Sequence, residues 1–133
     1  MATQISEPVR KFLEKPNFAV LATHTGDGLQ ATPVWFLYDG GQILINTSQG
    51  RVKLRNMQKN ADVALAIVDG QNPYQYVQIR GRVAGFDSQH GGRDIDRLSQ
   101  RYLGKPYAYP GGDAPAKRVS IRIEPTHVSA QGF

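Results

Sequence analysis

The stretch from Arg51 to Lys59 holds four basic residues, Arg51, Lys53, Arg55 and Lys59, and no acidic one, directly after a Thr47-Ser48-Gln49-Gly50 turn. A helix opened by such a turn presents free backbone N–H groups at its start. Hydroxyls of Thr47 and Ser48 stand beside them, and guanidinium and ammonium groups add charge, which together suit phosphate oxygens. The same run also reads as a solvated helix face. A second set of residues is aromatic: Trp35, Tyr74, Tyr76, Tyr107 and Tyr109. Such faces stack on planar ring systems, although aromatics in small β proteins also serve simply as core. In Thr32-Pro33-Val34-Trp35 the proline removes a ladder donor, as suits an edge or a wall that faces something other than a strand, such as a ligand.

Other chemistries find little support. Cysteine is absent, which excludes disulfides, thiolate metal sites, iron-sulfur clusters and a cysteine nucleophile. His24, His90 and His127 are far apart and have no partners at metal-ligand spacing, so they receive no role and no metal is expected. The carboxylates show no paired arrangement, no nucleophile elbow or Walker loop is present, and Gly26-Asp27-Gly28 is a turn, since no helix follows it. Sixteen Lys and Arg against eleven Asp and Glu favour an anionic partner, although a mild basic excess often reflects solubility alone.

The elements that must position these residues follow from pattern. At 133 residues the chain is sized for one domain, 1–133, with a real core. Ser6 and Pro8 open a short helix whose Val9, Phe12 and Leu13 share a face, and Pro16 stops it, giving a lid on a core. Phe18 to Thr23 and Gln30 to Tyr38 read as a hairpin about the Gly-Asp-Gly turn. Asp39-Gly40-Gly41 then leads to Gln42 to Thr47, making a three-stranded meander. In the basic helix, Val52 or Leu54 with Met57 can face inward. Ala61 to Val68 is an apolar strand, and Tyr74 to Phe86 is a long one with a bend or bulge at Gly81. A helix over about Arg93 to Leu103 turns Ile95, Leu98 and Tyr102 to one side and ends at Gly104 as its C-cap. The Pro-, Gly- and Tyr-rich Lys105 to Ala116 segment reads as a mobile or partner-ordered loop. Val119, Ile121 and Ile123 alternate as a one-sided strand, with a last short strand near Val128. The sum is a mainly β chain of six or seven antiparallel strands with two or three short helices, which favours a closed or split barrel. No apolar run approaches a membrane span, and the polar stretch from Met1 to Glu7 lacks a secretion-signal core, so a cytoplasmic protein without membrane contact is expected.

The order of the Phe18 to Thr23 strand, the Gly-Asp-Gly turn, Thr32-Pro33-Val34-Trp35, Asn46-Thr47-Ser48, Arg51-Val52-Lys53-Leu54-Arg55-Asn56 and Arg80-Gly81-Arg82 resembles the pyridoxamine phosphate oxidase-like split-barrel family. Within it, the chain is similar to the F420-dependent flavin/deazaflavin oxidoreductases, from about Pro8 to Val128. The resemblance implies a homodimer with cofactor sites at the subunit interface. It implies a phosphate site at Lys53, with Arg51, Arg55, Asn56 and the Asn46-Thr47-Ser48 turn. It also implies a cofactor ring flanked by Pro33, Val34 and Trp35, and a contact from the partner chain near Tyr74, Gln75 and Tyr76. The cofactor is then coenzyme F420, or FMN as the alternative. The reaction is hydride transfer to a small electron-poor substrate such as a quinone, an enone or a tetrapyrrole-like molecule, with no catalytic side chain assigned. Competing readings are an FMN-dependent oxidase or reductase, a non-catalytic cofactor- or haem-binding split barrel, and a small-barrel nucleic-acid binder. The last is disfavoured because the basic residues gather in one helix instead of along a strand-lined groove.

Overall fold

In a computed structural model that describes residues 5–133, the chain forms one seven-stranded antiparallel sheet with three helices. The elements are α1 (Glu7–Leu13), β1 (Phe18–His24), β2 (Leu29–Val34), β3 (Leu37–Asp39), β4 (Gln42–Ser48), α2 (Val52–Lys59), β5 (Asp62–Val68), β6 (Tyr76–Asp87), α3 (Gly91–Leu103) and β7 (Arg118–Gln131), with a 3-10 turn over Pro115–Lys117 before β7. Of the polar N-terminal stretch read from Met1 to Glu7, the first four residues lie outside the described part.

The sheet order is β2-β1-β5-β6-β7-β4-β3. Its two edge strands, β2 and β3, are joined by Trp35 and Phe36 alone, so the sheet must curl until its edges nearly meet, yet no ladder closes them. The three steps from Val34 to Leu37 reach at most about 11 Å, and the result is a barrel split at Trp35–Phe36, the mainly β architecture that strand count and turn spacing predict.

Inside the curl, Leu21, Ile43, Ile45, Leu65, Ile67, Val77, Ile79, Ile121 and Ile123 supply the core, alternating along β1, β4, β5, β6 and β7 as pleating requires. α1 closes one opening with Val9, Phe12 and Leu13, and α2 adds Leu54 and Met57. Ser6 does occupy the N-cap of α1, but its side chain makes no capping bond. α3 packs outside the barrel on β7 and β4, burying Ile95 and Leu98.

Several expectations need correction. The Gln30–Tyr38 run is two strands, not one: β2 ends at Val34, and Trp35–Phe36 carries the chain across the split to β3. The three-stranded meander is therefore absent. β4 pairs with β3 and β7, because leaving β2 for the opposite sheet edge brings the chain beside its own C-terminal strand. The last two strands are one, β7, running through Pro125 with a register shift against β6 between Arg80 and Gly81. The bulge expected at Gly81 is there, and a Cβ at that position would meet the Glu124 carbonyl oxygen at 2.7 Å. Nor is the Val119–Ile123 segment one-sided, since Ser120 is buried on the face that α3 covers. The C-cap prediction holds, with Gly104 left-handed at φ 71°.

Candidate functional site

The split leaves a cleft of about 600 Å³ bounded by β1, β2, the start of α2, α3 and the first residue of β7. Its wall begins at the crossing. Trp35 is half-buried and stacks on Tyr102 of α3, with ring centroids 5.5 Å apart and planes 11° from parallel. Tyr107 meets Trp35 edge-on at 6.3 Å, and Tyr109 meets Tyr107 in the same way at 4.9 Å. α3 fixes this geometry. The Tyr102 hydroxyl donates to the Asn17 carbonyl at 2.7 Å and accepts from the Phe36 amide at 3.4 Å. Arg101 donates to the Phe36 carbonyl at 3.0 Å and reaches the carbonyls of Leu13, Glu14 and Lys15 that end α1. Burial, opposed by the Phe36 amide and Arg101, holds the Tyr102 phenol above its ordinary pKa. Two strands and two helices are thus tied together at the two residues between β2 and β3.

The opposite side is cationic. In α2 the inward stripe is Lys53, Leu54, Asn56 and Met57, so Lys53 lays its aliphatic stem on the apolar layer and its amine reaches the cleft. Only 8% of Lys53 is exposed, and it makes no hydrogen bond or ion pair among the described residues. Burial, then the charges of Arg51 and Arg118, push its pKa down. Arg118 enters because the β4–β7 register sets it opposite Ser48. Its Nε donates to Asn46 Oδ1 at 2.9 Å, its Nη1 to Asp113 at 3.1 Å, and its guanidinium lies 5.2 Å from the centre of the Tyr107 ring. Among the described residues no acidic side chain lines the cleft.

Of the residues singled out by the sequence, Pro33, Val34, Trp35, Asn46, Thr47, Arg51 and Lys53 converge on this cleft. Asn46 is also engaged with the protein, since its amide donates to the Gly91 carbonyl at 2.9 Å and to Ser120 Oγ at 3.3 Å. Ser48, Arg55, Asn56, Gln75 and Tyr76 do not line it. Ser48 donates to Asp113, Arg55 closes the turn on the Gly50 carbonyl, and Asn56 donates to Thr23 Oγ1 beneath α2. Tyr76 pairs with Val68 and Gln131, and Gln75 donates to the Gly132 carbonyl, at the Phe18 end of the sheet two strands over from β1. Nor is the Lys105 to Ala116 loop without partners. Asp96 accepts from the Tyr107 amide, Ser99 donates to the Lys105 carbonyl, and Asp113 is held by Ser48 and Arg118. Sequence reasoning missed Arg118 and Asp113 as site residues and saw Tyr102 only as helix packing. Their place depends on long-range pairing with no local signature.

Among known proteins, the model of the family described as pyridoxamine 5′-phosphate oxidase matches residues 5–132. A solved structure of an F420 reductase is 34% identical, with a TM-score of 0.83 over 94% of this chain and 98% of that one. A conserved hypothetical protein from Mycobacterium tuberculosis, 21% identical, superposes with a TM-score of 0.76 over 98% of this chain and 86% of the other. An FAD-binding protein from Mesorhizobium loti, 18% identical, gives 0.68 over 95% and 94%. At these lower identities the likeness is one of fold. No curated protein gives a significant match.

Proposed function

For this chain, which belongs to the pyridoxamine 5′-phosphate oxidase family, we propose the function of a coenzyme F420-dependent reductase acting on a small electron-poor organic substrate. The observation that carries the reading is Lys53: a largely buried side chain whose ammonium opens into the cleft with no protein partner among the described residues, beside two arginines and facing an aromatic wall. Burying a charge is costly unless an opposite charge meets it. A phosphate group on a planar cofactor supplies both the charge and the ring that Trp35 can flank. The F420 reductase at 34% identity supports the deazaflavin over other ring systems.

The residues present suit such a group. Arg51 and Lys53 would hold its phosphate, while Pro33, Val34 and Trp35 would lie along its ring, with Thr47 donating from the strand end. When bound, the cofactor supplies the hydride. The protein orients the ring, and the wall of Trp35, Tyr102 and Tyr107 keeps water from one side of the cleft. Substrate would then enter over the remaining open side, quinone, enone or tetrapyrrole-like acceptors being the class proposed.

We place the site at the interface of a homodimer. The outer faces of β1, β5, β6 and β7 carry Val20, Ala22, Ala64, Ala66, Gln78 and Ser129 around a shallow groove. α3 packs on β7 at its Ser120 end, and the groove itself is lined by strand residues alone. Val20 lines both groove and cleft, so a second copy seated there abuts the site, and Gln75 and Tyr76 of that copy become available to it. FMN is the second reading, favoured by the family match and by the fold shared with an FAD-binding protein.

The test is a titration of the purified protein with F420 and, separately, FMN, read by cofactor fluorescence and by Trp35, the single tryptophan. Tight F420 binding with weak FMN binding is expected. The reverse order makes this an FMN enzyme, and no binding to either removes the redox reading.

A further inference from the structure

Resting on the anion site described above, we propose that Arg118 is its third phosphate-binding cation and that Asp113, with Asn46, positions it. Only 7% of Arg118 is exposed, and it lines the cleft together with Arg51 and Lys53. Three of its surroundings are fixed. Asn46 Oδ1 takes Nε at 2.9 Å, Asp113 takes Nη1 at 3.1 Å, and the guanidinium carbon lies over the Tyr107 ring, 5.2 Å from its centre. Its Nη2 makes no hydrogen bond among the described residues. A guanidinium held on these sides and open on the fourth is a pre-aimed fork, the arrangement that recognises a phosphate's paired oxygens.

Charge balance points the same way. Three cations gather against one carboxylate, and that carboxylate is not spent on Arg118 alone, since Asp113 also accepts from Ser48 Oγ at 3.2 Å and from the Ala114 amide at 2.8 Å. Arg118 lies close enough to Lys53 that its charge helps push down the lysine's pKa. Neutralising Lys53 with an anion therefore relieves repulsion that Arg118 creates, and Arg118 gains from the same anion. The loop holding Asp113 and Tyr107 thereby becomes part of the anion site, although it arrives from more than fifty residues along the chain.

Two roles for Asp113 predict opposite signs. If it merely neutralises Arg118, removing its charge makes the cleft more positive and tightens anion binding; if it aims Arg118, the same change loosens binding. We expect the second. The experiment titrates inorganic phosphate, FMN and F420 separately into wild type, R118M, R118K, D113N and K53A, read by Trp35 fluorescence, with far-UV circular dichroism and thermal midpoints as folding controls. R118M should weaken the tighter-binding of the two cofactors at least tenfold, with R118K between it and wild type. D113N should weaken the same ligand severalfold despite adding positive charge. Inorganic phosphate following the same order assigns the effect to the phosphate, whereas an effect on F420 alone assigns it to another part of that cofactor and overturns the phosphate role. If K53A loses binding while R118M and D113N keep it, the anion site stands and this proposal fails. If K53A also binds as wild type does, the site itself is wrong. Tighter binding by D113N overturns the positioning role. Should R118M not fold, R118K decides, because wild-type affinity with a point charge in place of the fork overturns the proposal as well.

Discussion

Lys53 is the residue on which the functional reading turns. Replacing it with alanine removes a charge-assisted partner, so Lys53→Ala should weaken cofactor binding by about 1 to 3 kcal/mol while leaving the fold intact. Titration calorimetry checks the first part and circular dichroism the second; unchanged affinity sinks the site. Burial and two arginines lower the pKa of this lysine, which makes a pH prediction with a definite sign. In the unliganded protein the charged form is disfavoured on folding, so stability rises with pH from the lowered folded pKa up to the lysine's ordinary value of 10.5. An arriving anion favours the charged form. Binding should therefore take up protons at alkaline pH, seen as a heat that depends on the buffer's ionisation enthalpy, and affinity should fall as pH rises through the lowered pKa. Lys53→Arg, whose guanidinium stays charged, should flatten that profile. The basic run was visible from residue types alone, but which of its members is buried was not. Lys53 and Arg55 are two positions apart on one helix, and only the packing of Leu54 and Met57 decides which one turns inward.

α3 is the element that builds the site, and it is docked by close approach as well as by side chains. A Cβ at Gly91 would lie 1.9 Å from the Arg118 carbonyl oxygen, backbone that cannot step aside. Gly91→Ala should thus destabilise by about 3 kcal/mol, the upper range of overpacking, measured by urea unfolding, and should disturb Arg118 with it. Three residues on, Asp94 is 2% exposed and accepts from Ser120, Arg97 and Arg93. Burial opposes its ionisation, but those hydrogen bonds, led by Ser120, win and hold its carboxyl below the usual aspartate range. A carboxylate with a depressed pKa stabilises above its unfolded value, and that contribution is lost as pH falls through the folded one. Wild type should therefore lose urea resistance in that acid window, whereas Asp94→Asn should start lower and change less across it. The helix itself was legible from its apolar period and Gly104. Its docking partner was not, because Ser120 reads as the outward position of an alternating strand until α3 covers it.

At the scale of the whole molecule, the exposed small-residue face of β1, β5, β6 and β7 carries the dimer proposal. Light scattering at micromolar concentration should report twice the 14.7 kDa chain mass. Ala66 is exposed on that face, so Ala66→Arg leaves the barrel core untouched and should give a monomer. That monomer should also lose cofactor affinity, and full binding by it would contradict an interface site. Among the described residues no helix is long and apolar enough to cross a membrane.

Local pattern determined the mainly β class, the strand at Phe18, the glycine turns, the bulge at Gly81, the capped helix before Gly104 and the basic segment that supplies Lys53. Each of these follows from conformational limits and apolar spacing over a few neighbouring residues. The tertiary structure decided the rest. It broke the Gln30–Tyr38 run at Trp35, sent β4 to β7, and thereby set Arg118 and Asp113 beside Lys53. Those outcomes depend on pairing between strands some seventy residues apart in the chain, where burial and register over the whole barrel choose among locally equivalent alternatives.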